Sequence, residues 1–162
     1  MRRWGALLGA LLLSGALAAG CACTQTPERR IGRALGVRLP EAAAVSVADD
    51  HGFHGDGKLA AVLTFSAEEG EALAALLQQA AHWRPLPATE NAGRLIEGDV
   101  ADWALGAGAA QATDGFWYVY DRHDECDDPY SDAALFGRYS INVTAAVYDR
   151  AAHTLYYFEL DT

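Results

Sequence analysis

YSINVTAAVY (139–148), DRAAH (149–153) and TLYYFEL (154–160) is the stretch that decides the fold. Its first part alternates, with Ile141, Val143, Ala145 and Val147 on one side and Ser140, Asn142, Thr144 and Ala146 on the other. A period of two is the mark of a β-strand. Asp149 to His153 is polar and small enough to turn the chain. Tyr156, Phe158 and Leu160 then fall on one side of a return strand. Two β-rich runs joined by a short turn read as an antiparallel hairpin.

Working towards the N-terminus, Phe116 to Asp121 (FWYVYD) is aromatic and strand-like. Lys58 to Phe65 alternates, with Leu59, Ala61, Leu63 and Phe65 opposed to Ala60, Val62 and Thr64. Ala43 to Ala48 is a further short strand, and the glycine-rich residues 49–57 link the two, ending in an Asp-Gly turn signal. Ser66-Ala67-Glu68-Glu69 has the S-x-x-E form of a capping box. Leu73, Leu76, Leu77, Ala80 and Ala81 follow at helical spacing, so the expected helix runs from Ala67 to His82, where Arg84-Pro85-Leu86-Pro87 stops it. Glu90 to Glu97 is a second short helical segment, and residues 99–114 carry no clear period. The expected class is α+β: a mainly antiparallel sheet of about five strands in the order β-β-α-β-β-β, with one main helix on one face.

The N-terminus has a different character. Arg2 and Arg3 precede an almost wholly apolar run from Leu7 to Leu17, which closes on Ala18-Ala19-Gly20-Cys21. A positive start, an apolar centre and a small-residue cleavage site make a secretory signal. The cysteine after it resembles a bacterial lipobox, with Ala18 where leucine is preferred. The expected organisation is a signal peptide over 1–20, a lipidated Cys21 with a tether over 21–41, and one extracytoplasmic domain over 42–162. A diacylglycerol on Cys21, with a palmitate-type chain, is a stable anchor, since two buried chains at about 0.8 kcal/mol per methylene suffice where one is marginal.

Formal charge is −10, and loss of Arg2 and Arg3 with the leader would take it to −12. Lys58 is the only lysine. Such a surface repels nucleic-acid phosphates and anionic lipid, so nucleic acid is excluded as a partner and membrane contact is expected through the lipid alone. With Cys21 acylated, Cys23 and Cys126 remain as the candidate disulfide, although Cys23 lies in the tether, where little fixes its distance from Cys126.

Three groups of residues bear chemistry. The loop Asp49, Asp50, His51, His54, Asp56 holds imidazoles and carboxylates that suit a divalent metal, with His123 or its neighbours Asp127 and Asp128 as further ligands. The same loop reads equally as a hairpin connection built from positive-φ glycines and Asx turns. Residues 121–128 read either as contributors to that metal or as a solvated acidic loop in which Arg122 pairs a carboxylate. The aromatics Trp83, Trp103, Trp117, Tyr118, Tyr120, Tyr130, Tyr139, Tyr156 and Tyr157 suit an outward face that takes glycan or protein, or the buried half of alternating strands. No GxSxG, HExxH, Walker A or GxGxxG motif occurs, so no catalytic residue is assigned.

Taken as a set, HGFHGDG (51–57), WRPLP (83–87), YDRH (120–123), Tyr148-Asp149 and LYYFELDT (155–162) resemble a family of short bacterial lipoproteins, seen mostly in Gram-positive bacteria. The resemblance implies a lipid-anchored extracytoplasmic domain without an assigned activity, and it brings no catalytic or ligand residues to carry over. No cofactor is expected, save a divalent metal in the alternative reading. The reading is therefore a non-catalytic binding or accessory module on the outer face of the cell membrane, engaging an envelope protein or cell-wall component. The alternative is a metal-binding protein.

Overall fold

The structure is a computed structural model, and it describes residues 25–52, 56–100, 107–123 and 127–162. The signal peptide, Cys21, Cys23, His54, Trp103 and Cys126 lie outside the described residues.

Among the described residues, six antiparallel strands form one sheet. In chain order the elements are α1 (Pro27–Ala34), β1 (Ala44–Asp49), β2 (Gly57–Thr64), α2 (Ala67–Leu77), β3 (Arg84–Pro85), α3 (Glu90–Leu95), β4 (Gly115–Asp121), β5 (Val143–Asp149) and β6 (Thr154–Asp161). The spatial order is β1-β2-β6-β5-β4-β3. The C-terminal hairpin sits at the centre, with Val143 opposite Leu160 and Asp149 opposite Thr154. The α+β class is as the sequence reading has it. The sixth strand is the two-residue β3, which pairs Arg84 with Trp117 and Pro85 with Phe116. So short a strand leaves no periodicity to read.

The main helix packs on one face of the sheet, as expected, and the other face is covered as well. Leu59, Ala61, Leu63, Tyr118, Tyr148, Leu155 and Tyr157 pack with Leu73 and Leu77 of α2 and with Ile31 and Leu35. On the other face Trp117, Val119, Val143, Ala145, Val147, Phe158 and Leu160 pack with Ala92, Leu95, Ile96 and Leu135. Six of the seven residues of β5 are buried, as befits a strand covered on both sides. The second cover is α3, a π-helical turn (Ile96–Val100) and a 3-10 turn (Ala109–Gln111). None of these is long enough to show a marked apolar period.

Two boundaries differ from expectation. The helix expected over 67–82 ends at Leu77, where the Gln79 and Ala80 N–H groups bond the Leu76 and Leu77 carbonyls three residues back, at 3.1 and 3.2 Å, and tighten the chain out of the α-helix; His82 then takes the left-handed backbone (φ 70°). Its start is as expected, with Ser66 Oγ accepting from the Glu69 N–H at 3.3 Å. The tether expected over 21–41 is corrected for its later part. Ile31, Leu35 and Leu39 are buried in the core, each worth roughly 1.5–3 kcal/mol against exposure. The folded body therefore includes α1.

The loop over residues 129–137 also has a packing role. Asp132 Oδ2 accepts from the Ala92 N–H at 3.0 Å and from the Thr89 hydroxyl. It thus caps the first turn of α3 from forty residues away, where Thr89 makes no cap of its own.

Candidate functional site

The two charged loops singled out in the sequence meet at one end of the sheet. β1 and β4 end there, and β2 and β5 begin there, because neighbouring antiparallel strands bring alternate termini together. His51 leaves β1 with its ring between two carboxylates. Nδ1 lies 2.6 Å from Asp49 Oδ1, and Nε2 lies 3.3 Å from Asp161 Oδ2. Only the imidazolium can donate to both. The bond to Asp49, supported by Asp161, raises the His51 pKa above its ordinary value. The same bond lowers that of Asp49.

Asp161 also binds the second loop. Its Oδ1 lies 3.0 Å from Arg122 Nη1. Arg122 Nη2 donates to the carbonyls of Val143 at 3.1 Å and Leu160 at 3.2 Å. Beside it, the fully buried Asp121 carboxylate pairs with Arg138. Asp121 Oδ1 also accepts the His123 N–H at 3.0 Å. Asp49 Oδ1 also accepts the His51 N–H at 3.2 Å, two residues on, the Asx geometry expected of a hairpin connection, and Asp50 Oδ1 accepts the Lys58 N–H at 2.8 Å across the hairpin.

Of the metal candidates, His51 and His123 are therefore carried on loops that Asp161 and Arg122 join. Asp56 contributes a backbone carbonyl to Gly52 at 2.9 Å. His54 lies outside the described residues. Both ring nitrogens of His51 are already bonded, and Asp121 is neutralised by arginine. Among the described residues, no group of three or more His, Cys, Asp or Glu side chains is arranged to hold a metal ion.

The aromatics divide sharply. Trp83, Trp117, Tyr118 and Tyr157 are buried, and Tyr139 is fully exposed. Tyr118, Tyr120 and Tyr130 line a cleft of about 390 Å³, walled by Arg33 from α1 and by Ala80, Ala81 and His82 after α2. The His82 ring stacks on Tyr130 at 3.4 Å and 9°. Tyr120 meets Tyr130 nearly edge-on at 5.1 Å, and Tyr118 does so at 6.0 Å. Burial raises the Tyr118 pKa well above the phenol value, so its hydroxyl stays protonated. Arg84 Nη2 holds the Tyr130 carbonyl at 2.6 Å. The left-handed φ of His82 is uncommon away from glycine, and such strain gathers at functional positions. A larger hollow of about 730 Å³ lies between α1 and residues 37–41, but its walls are mixed polar, charged and aliphatic residues, with no aromatic side chain among those that line it.

Sequence reading named Tyr118, Tyr120 and Tyr130 without placing them together, and it missed His82, Asp161 and Arg138 as members of either site. Only the strand alternation hinted that Asp161 would stand at a sheet end.

Fold and sites together define a small α+β domain with an aromatic cleft and a salt-bridged loop platform. No protein-family model, curated protein or solved structure matches the chain.

Proposed function

We propose that this chain is a lipid-anchored extracytoplasmic lipoprotein that works as a non-catalytic binding module, using the Tyr118–Tyr120–Tyr130 cleft to engage a component of the cell envelope. The cleft is the observation that carries the reading. Its half-buried Tyr120 and Tyr130 bring aromatic surface and phenol groups together over the buried Tyr118, which suits sugar rings and exposed protein side chains alike. At about 390 Å³ it falls in the range of small-ligand sites. The His51 ring supports a non-catalytic reading, since both nitrogens are bonded to carboxylates. The signal-like residues 1–20 and Cys21 support the anchor. Among the described residues, no helix is long and apolar enough to cross a membrane.

Two measurements test this. Mass spectrometry of the mature N-terminus should find Cys21 carrying a diacylglyceryl thioether; an unmodified sulfur overturns the anchor. Full-length protein in detergent should co-sediment with purified cell-wall sacculi, and Tyr130→Ala should abolish this; equal retention of both overturns the cleft.

A second reading has one observation in its favour. The His51 and His123 loops are tied together through Asp161 and Arg122, at one sheet end. In that reading His51, His54, Asp56 and His123 hold a divalent metal. Elemental analysis of the purified protein decides it, with His51→Ala and His54→Ala expected to lose the metal.

A further inference from the structure

The two edges of the sheet are built differently. β3 is two residues long and contains Pro85, which has no N–H to offer. That edge is blunted. The other edge, β1, runs six residues as Ala-Val-Ser-Val-Ala-Asp, with no proline, lysine or arginine. Four of its six residues are exposed, and Val47 is 49% exposed. Among the described residues no strand pairs with its outer side.

The register shows which backbone groups face outward. Val47 pairs with Ala61 across the β1–β2 ladder, and the Asp50 N–H bonds the Lys58 carbonyl at 3.0 Å, so even-numbered residues bond inward. In an antiparallel ladder the alternate residues point away. Val45, Val47 and Asp49 therefore present their N–H and C=O groups to solvent.

We infer that the outer edge of β1 is a docking strand for an extended, positively charged peptide segment of a partner protein, which joins the sheet as a seventh strand. Main-chain hydrogen bonds to Val45, Val47 and Asp49 supply the affinity, as in other strand-addition complexes. Charge selects the partner. The strand ends on Asp49, whose charge the His51 imidazolium compensates, but the Asp50 carboxylate follows it and the chain as a whole carries −10. A second copy fits less well, because it brings the same negative charge. A pair of six-residue strands, about 20 Å long, also covers far less than the roughly 800 Å² per partner of a stable interface. The inference is independent of the aromatic cleft, which lies beyond β6 and β5 on β4.

The test uses full-length protein in detergent micelles and two synthetic ten-residue peptides, one alternating lysine and threonine and one alternating glutamate and threonine. The lysine peptide should bind at least tenfold more tightly, and it should slow amide exchange at Val45, Val47 and Asp49 selectively. Val47→Pro removes an outward N–H and spares the ladder, so it should weaken binding at least tenfold. Val47→Lys, which keeps the backbone donor, should weaken it through charge repulsion. Equal binding of the two peptides, no binding of either, or exchange protection elsewhere overturns the proposal. So does a dimer in sedimentation that Val47→Pro dissolves, which would make the occupant a second copy.

Discussion

His51 and Asp161 are 110 residues apart in the chain and 3.3 Å apart across the end of the sheet. That contact, with Arg122 on the other oxygen of the same carboxylate, closes the β1–β2 and β4–β5 loops against the last strand. It makes Asp161 the residue on which the loop platform depends.

The pH dependence of this contact follows from its charges. The His51 pKa is raised from 6.5, mainly by its bond to Asp49, so its contribution is complete below 6.5 and is lost as pH rises through the folded value. The Asp49 pKa is lowered from 3.8, so that side of the pair is complete above 3.8 and is lost as pH falls through its folded value. Thermal melts of wild type and His51→Gln should therefore differ most between 3.8 and 6.5 and converge towards alkaline pH. A difference that grows above pH 8 would refute the imidazolium assignment.

Asp121 and Arg138 form the most buried ion pair described at that end, with the carboxylate fully enclosed. Arg138→Met should cost about 3–5 kcal/mol in urea unfolding, because it strands a buried charge. Asp121→Asn combined with Arg138→Met should cost less than Arg138→Met alone. Additive losses would show that the two side chains do not act as a pair.

Tyr148 is wholly buried and donates its hydroxyl to the Gly70 carbonyl at 2.6 Å. Burial pushes its pKa up to about 12. Tyr148→Phe removes this bond while the Gly70 carbonyl keeps its partner within α2, so it should destabilise by about 0.5–1.5 kcal/mol in denaturant unfolding.

Gly70 has a second constraint. A Cβ there would stand 2.5 Å from Nδ1 of His153, whose own φ is 48°. Gly70→Ala should destabilise markedly. His153→Gly should restore most of the loss, because glycine both removes the ring and suits the positive φ. A double-mutant cycle with no coupling would place the clash elsewhere.

Much of the architecture was legible because it is local. The alternation from Ile141 to Leu160 names the central hairpin, and Ser66 with Glu69 names the start of α2. The burial of Thr144 and Ala146 was not legible, since period two separates two faces without saying whether the second is covered. Ile31 and Leu35 fall in a stretch that reads as tether, because the eight residues of α1 hold too few apolar positions to declare a buried face. The aromatic cleft shows the same limit. Tyr118 and Tyr120 sit on one strand face by parity, but Tyr130 and His82 join them only through the path of two loops.

By itself, the sequence determined the antiparallel α+β class, the start of the main helix with its cap, and the residue types that each strand and loop carries. Those properties depend on neighbours within a turn or a strand. Tertiary structure alone decided that Asp161 bridges His51 to Arg122, that Asp132 caps α3, and that one sheet edge is blunted while the other, among the described residues, has no strand beside it. Each of those is a meeting of residues tens of positions apart, set by strand order and register, and no local pattern encodes which distant partner will fill a given bond.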